Sequence, residues 1–159
     1  MIPCEIPGHG KLELRHLVCD VNGTLALDGS LLPGVKDRLR ELSEMVEIHI
    51  VTADTLGRQV EIDAILKGIL SQTVILTPGG EAEQKQGYIE KLGSGSVAAI
   101  GQGANDRLML KTAVLGICLL SPEGTATETL LNADLLVPDI LHALDLLLHP
   151  ARLKASLRR

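Results

Sequence analysis

Short apolar runs alternate with amphipathic stretches along most of this chain. HLVCDVN, VEIHIVTAD, TVILTP, VAAIGQG, VLGICLL and ADLLVP are β-rich runs that end in polar or Gly/Pro positions. Between them, PGVKDRLRELSEM has Pro33 near a helix start and apolar residues at 35, 39 and 42, a helical spacing. Helices are likewise predicted from about Leu56 to Leu70, over EAEQKQGYIEKLG, over NDRLMLKTA and over TATETLLNA. DILHALDLLLH with its tail is predicted as one closing helix. Apolar strands each followed by a helix imply a parallel sheet covered on both faces, hence a Rossmann-like α/β three-layer sandwich. Two hairpins precede or interrupt this pattern. IPCEIPGHGKLELR alternates on either side of Pro7-Gly8-His9-Gly10, and LALDGSLL turns at Asp28-Gly29.

At 159 residues the chain reads as a single domain, with the hairpin at 1–15 and a basic tail at 150–159 as its edges. The tail, ARLKASLRR, reads as a solvated helix end. The net charge of −5 offers no basic stripe for nucleic acid. No run approaches a bilayer span and no signal peptide is apparent, so the expectation is a cytoplasmic protein. With no Trp or Phe and one Tyr, the core must be aliphatic. Cys4, Cys19 and Cys118 have no paired or zinc-type spacing and read as small buried hydrophobes of a reducing compartment. His16, His49, His142 and His149 lie in or beside predicted elements without a motif and read as structural.

In open α/β sheets, ligands bind beyond the carboxyl ends of the strands. CDVNGT, VTAD and GQGAND all fall at that edge. Each has an ordinary reading alone: Asp20 as a satisfied strand-end polar group, Thr52 as a strand-end hydroxyl, Asn105 or Asp106 as a helix cap, Lys85 as an exposed helix residue. Together they suit phosphoryl transfer. A carboxylate attacks phosphorus to give an aspartyl phosphate, a hydroxyl and an ammonium bind the non-bridging oxygens, and Mg²⁺ held by carboxylates offsets the remaining charge.

With these segments in order, the sequence resembles the haloacid dehalogenase-like superfamily and, within it, the phosphorylation domain of P-type ATPases. DVNGT resembles the first motif, usually Asp-x-Asp-Gly-Thr, or Asp-Lys-Thr-Gly-Thr in the ATPases. IVTAD resembles the segment that holds the second motif. LKGI, TPGGEAEQK and EKL follow the ATPase order, GQGANDRLMLKTAVLGI is similar to the Gly-Asp-Gly-x-Asn-Asp region, and NADLLV with the final helix also fits. The resemblance spans about residues 16 to 148. It implies Asp20 as nucleophile, Thr52 and Lys85 as phosphoryl-binding groups, and the backbone carbonyl of Asn22 as an Mg²⁺ ligand. Asp106 is implied as an acidic partner of the metal, through water, while Gly23 and Thr24 shape the turn and Asn105 supports the last motif.

Two positions depart from the pattern. Asn22 replaces the second Asp, which in the family's phosphatases protonates the leaving group and then activates water. Losing a positioned acid/base typically removes about 10²- to 10⁴-fold of rate. Gln102 replaces the Asp that usually binds Mg²⁺ directly, and offers an amide oxygen without charge. The intervals Asp20–Thr52 and Thr52–Lys85 are too short for a cap domain. An open site suits a bulky phosphorylated substrate, or closure by a neighbouring subunit in a homo-oligomer. The sequence therefore implies an Mg²⁺-dependent phosphatase-like protein acting on phosphomonoesters. The alternatives are a phosphate- or metal-binding regulatory module with impaired turnover, and a phosphoryl-accepting domain that works with a partner.

Overall fold

The computed structural model describes every residue except His9, which falls in the expected turn of the N-terminal hairpin and lies outside the described residues. That hairpin pairs β1 (Ile2–Ile6) with β2 (Gly10–Leu14) antiparallel, Ile2 opposite Leu14. Ile2, Cys4, Ile6, Leu12 and Leu14 alternate inward and are buried. The chain then enters the main sheet through β3 (His16–Cys19). A second hairpin follows, β4 (Ala26–Leu27) and β5 (Ser30–Leu31). Its two turn residues, Asp28 and Gly29, both have positive φ, 49° and 76°, as a two-residue primed turn requires.

Next come α1 (Val35–Ser43), β6 (Glu47–Thr52), α2 (Gln59–Ile65), β7 (Gln72–Ile75), α3 (Glu81–Leu92) and β8 (Val97–Gly101). The chain continues with α4 (Arg107–Thr112), β9 (Leu115–Leu119), α5 (Thr127–Leu130), β10 (Leu135–Val137), α6 (Ile140–Leu148) and α7 (Pro150–Leu157). The six-stranded sheet has the order β10-β9-β8-β3-β6-β7, parallel at every pairing. Strand alternation builds two apolar layers. Leu17, Cys19, Ile48, Ile50, Ile100 and Ile117 face one core with α1, α6 and the hairpin; Val18, Val51, Ala99 and Cys118 face the other with α3 and α4. The three cysteines are free and buried. This is the α/β three-layer sandwich with an added hairpin that the sequence pattern implies, and the described residues hold no cap domain.

The differences lie at helix ends. The closing helix is two helices, because Pro150 has no N–H to continue α6 and His149 before it takes φ −124°, ψ 74°. Nor is the basic tail simply solvated. Leu153 of α7 is fully buried, the Cys4 thiol donates to the Pro150 carbonyl at 3.5 Å, and the Arg159 N–H donates to the Pro7 carbonyl at 3.0 Å. Thus the tail covers the apolar face of the N-terminal hairpin. Helix α2 is shorter than the predicted 56–70, bracketed by Gly57 and Gly68 at φ 64° and 79°. Helix α5 keeps only four residues, since Thr125 is occupied in donating to the Leu119 carbonyl at 2.9 Å.

Candidate active site

Strand order places the site. The sheet grows outward in opposite directions from β3, to β6 on one side and β8 on the other, and a crevice opens where the direction reverses. Cys19 is in register with Ile50 of β6 and Ile100 of β8. Asp20 therefore stands level with Val51 and Gly101 at the sheet edge, and Thr52 and Gln102 lie one residue beyond it on the flanking strands. A cleft of about 390 Å³ lies there, lined by Asp20, Asn22, Ala53, Thr55, Gln102, Gly103, Ala104 and Asn105.

Helix α3 brings Lys85 under this cleft one turn after its start. Its side chain is wholly buried, and Nζ donates to Asp20 Oδ1 at 2.7 Å and to Asp106 Oδ1 at 2.6 Å. Asn105 Oδ1 is a longer contact at 3.5 Å. The other oxygen of Asp106 accepts the backbone N–H groups of Gln102 and Gly103, each at 2.9 Å. Gly101 makes room for this carboxylate, because a Cβ there would meet it at 2.5 Å. Asp106 thus holds both the lysine and the loop after β8.

Burial raises the Asp20 carboxyl, and the neighbouring Asp106 raises it further. Lys85 opposes both, and the outcome is a value of about 6. For Lys85, burial disfavours the charge, but the two carboxylates outweigh it and hold the ammonium above its ordinary value. The lysine is therefore a fixed cation, while Asp20 titrates just below neutrality.

The turn after β3 is tight. Gly23 has φ 76°, and a Cβ on it would lie 2.2 Å from Gln102 Nε2 and 2.8 Å from Glu123 Oε2. The Thr24 hydroxyl is buried and reaches Asp20 Oδ2 at 3.5 Å. Thr52 is fully buried beneath the cleft. Its hydroxyl oxygen accepts the Asp54 N–H at 3.0 Å, so its proton remains for another acceptor. Ala53 and Thr55 line the cleft above it. Ala53 lies within the IVTAD segment, whereas Thr55 and Glu123, beside Gly23, belong to no motif.

The fit of this site to Mg²⁺ rests on its oxygens. Asp20 and the Asn22 carbonyl present one carboxylate and one carbonyl to the cleft, which suits an Mg²⁺ that keeps most of its waters. Both oxygens of Asp106 are engaged as described. Gln102 turns its amide nitrogen, not its oxygen, toward the Asn22 carbonyl, donating at 3.1 Å. That donor competes with a cation for the same carbonyl oxygen.

No protein-family model matches the chain. An uncharacterized protein of Methanocaldococcus jannaschii is 53% identical over 62 residues, which are 39% of this chain and 67% of that protein. A second uncharacterized protein of the same organism is 51% identical over 39 residues, 24% of this chain and 89% of that protein. The chain belongs to one family with these archaeal proteins. Solved structures give the fold. A Vibrio cholerae chain described with the 3-deoxy-D-manno-octulosonate 8-phosphate phosphatases has 14% identity and TM-score 0.69, covering 97% of this chain and 98% of that one. The Moraxella catarrhalis phosphatase of that name, in complex with magnesium, phosphate and KDO, has 19% identity, 90% coverage of each chain and TM-score 0.65. A phosphoserine phosphatase captured as a phospho-aspartyl intermediate analogue has 14% identity and TM-score 0.61, covering 82% of this chain and 97% of that one. The fold is haloacid dehalogenase-like, and it extends over nearly the whole chain. Among the described residues no helix is long and apolar enough to cross a membrane.

Proposed function

We propose that this haloacid dehalogenase-like protein is an Mg²⁺-dependent phosphatase-like hydrolase that acts on phosphomonoesters through an aspartyl phosphate on Asp20. The observation that carries the reading is the buried ion cluster: a carboxylate at the strand end, facing an open cleft, locked by a wholly buried lysine. A structural ion pair has no need of a cleft, whereas a nucleophile does.

Asp20 attacks the phosphorus of the monoester. A carboxylate–phosphorus bond forms, the phosphorus–ester oxygen bond breaks, and the alcohol leaves with a proton taken from water. Lys85 stays charged throughout and faces the non-bridging oxygens, with the Thr52 hydroxyl as a second donor. Asn105 and the Gly103 and Ala104 backbone line the far wall of the cleft. When bound, Mg²⁺ supplies further charge neutralisation at the phosphoryl oxygens, held by Asp20 and the Asn22 carbonyl. In the second step water attacks the phosphorus, the acyl phosphate opens, and inorganic phosphate leaves with Asp20 regenerated. No carboxylate stands at residue 22 to protonate the leaving alcohol or to take the water's proton, so both steps are slowed. The open cleft suits a large phosphorylated substrate.

The test is p-nitrophenyl phosphate hydrolysis with and without Mg²⁺, wild type against Asp20→Asn. Release that needs Mg²⁺ and disappears in the variant supports the proposal. The Gln102 amide on the Asn22 carbonyl favours a second reading, a domain that accepts a phosphoryl group and releases it poorly. A stable phosphoenzyme at Asp20 with little free phosphate would select it. Neither phosphoenzyme nor release would refute both readings.

A further inference from the structure

A second polar cluster lies at the opposite end of the same strands. His16 opens β3, and Glu47 and His49 stand two apart at the start of β6. The parallel register sets His16 opposite Glu47 and Val18 opposite His49. Strand alternation then puts all three side chains on one face, the face covered by α3. From His16 to Asp20 the chain advances four strand residues, about 13 Å, so this cluster is separate from the phosphoryl site.

The three ligand atoms form a triangle. His16 Nδ1 lies 3.2 Å from His49 Nε2 and 3.4 Å from Glu47 Oε2, and His49 Nε2 lies 3.8 Å from Glu47 Oε2. Metal–nitrogen and metal–oxygen bonds of about 2.0–2.2 Å give a regular tetrahedron edges of roughly 3.3–3.6 Å. The triangle is thus close to one face of such a tetrahedron. Behind it, the Tyr88 hydroxyl of α3 meets His49 Nδ1 at 2.9 Å, fixing the ring so that Nε2 turns to the triangle. Ligating histidines are regularly oriented this way through their other nitrogen.

Neutral His16 has at most one proton at Nδ1, and both His49 Nε2 and the Glu47 carboxylate approach that atom. Imidazole tautomers, with water at the exposed Glu47, satisfy these groups only pairwise. A cation at the centre satisfies all three lone pairs together. His16 and His49 side chains are 16% and 5% exposed while Glu47 is 64% exposed, so the outer side of the triangle is open to water.

We propose that His16, Glu47 and His49 form a site for a divalent transition metal of the Zn²⁺ class, with water as the fourth ligand and Tyr88 as the positioning residue. Two imidazoles and one carboxylate suit Zn²⁺ or Co²⁺, whereas Mg²⁺ prefers an all-oxygen shell. The proposal does not depend on the phosphatase reading, because it uses none of the residues around Asp20.

The test is titration of the metal-stripped full chain with Co²⁺ in excess Mg²⁺, which competes with Co²⁺ for the oxygen ligands at the Asp20 end. One equivalent with intense visible bands of four-coordinate Co²⁺, no sulfur charge-transfer band, and displacement by Zn²⁺ is the expected result. His16→Ala, and Glu47→Gln at an exposed position, should abolish those bands or weaken binding severely. Tyr88→Phe should keep the bands and lose about 10- to 100-fold in affinity. Asp20→Asn should bind as wild type does. No tetrahedral Co²⁺ spectrum in wild type, or a spectrum unchanged in His16→Ala and Glu47→Gln, would overturn the proposal.

Discussion

Asp20 is expected to destabilise the protein it serves. Its carboxyl rises from an ordinary 3.8 to about 6 in the folded chain, because burial and Asp106 together outweigh Lys85. At about 1.4 kcal/mol per tenfold change in proton affinity, keeping it ionised costs the native state about 3 kcal/mol. The sign follows from the direction. A group whose proton binds more tightly in the folded state lends stability below the unfolded value, near pH 4, and that stability is lost as pH rises through about 6. Asp20→Asn holds the position permanently neutral, and its amide carbonyl still accepts from Lys85. The variant should therefore match wild type near pH 4, gain on it between pH 4 and 6, and lead by about 3 kcal/mol at pH 7 and above. For a chain of this size, that lead is a rise in Tm of roughly 6–12 °C. Thermal and urea unfolding of both proteins from pH 4 to 8 in EDTA would measure it. A difference that does not vary with pH, or a wild type that gains on the variant as pH rises, would refute the reasoning. The first would mean that the Lys85 ion pair balances the burial of Asp20, the second that it outweighs it.

Other outcomes follow from the same contacts. Lys85→Met leaves two buried carboxylates without their cation and should cost about 3–5 kcal/mol at neutral pH. Part of that loss should return on acidification, as urea midpoints at two pH values would show. Asn22→Asp restores an acid/base at the cleft, and should speed phosphate release from the phosphoenzyme by about 10²-fold or more, read by single-turnover decay of ³²P label. Leu153→Ala opens a cavity between α7 and the N-terminal hairpin and should cost about 2–5 kcal/mol. Hydrogen exchange in β1 and β2 should then rise faster than in β3.

The sequence pattern carried the fold well where its physics is local. Near-continuous apolar runs at β3, β6, β8 and β9 mark strands because every residue of a central parallel strand is buried on one face or the other. Helix limits were less legible. Nothing local to DILHALDLLLH says that α7 turns back onto the hairpin; the break at Pro150 is local, but the packing of Leu153 against β1 joins opposite ends of the chain. The site was legible as residue types in order, since Asp20, Thr52, Lys85 and Asp106 sit at strand or helix ends that the α/β pattern itself locates. Their hydrogen bonds were not. That Asp106 accepts from Lys85 and two backbone amides, and that Gln102 donates to Asn22, depends on loop geometry across β3 and β8. His16 and His49 look solitary in the sequence because their proximity comes from strand register. The Glu-x-His spacing of β6, which puts Glu47 and His49 on one face, was the one local signal.

The two departures at Asn22 and Gln102 make sense as a pair when charge is counted. A carboxylate at each position would give the cleft four carboxylates against one lysine, a net −3 that demands a divalent cation. Here Asp20, Asp106 and Lys85 sum to −1, with the exposed Glu123 at the rim, and the Gln102 amide already satisfies the Asn22 carbonyl. The site without substrate therefore has little need of Mg²⁺. A phosphoryl dianion changes this, bringing the sum to −3 beside a single ammonium. Metal and phosphate should accordingly bind together, each tightening the other by the same factor. Calorimetric Mg²⁺ titrations with and without orthovanadate would read that factor. At least a tenfold gain in Mg²⁺ affinity with vanadate is expected, and Gln102→Asp should bind Mg²⁺ more tightly without vanadate and show less gain with it. Equal Mg²⁺ affinity in both titrations, with Gln102→Asp indistinguishable from wild type, would show that the cleft's charge balance does not govern the metal.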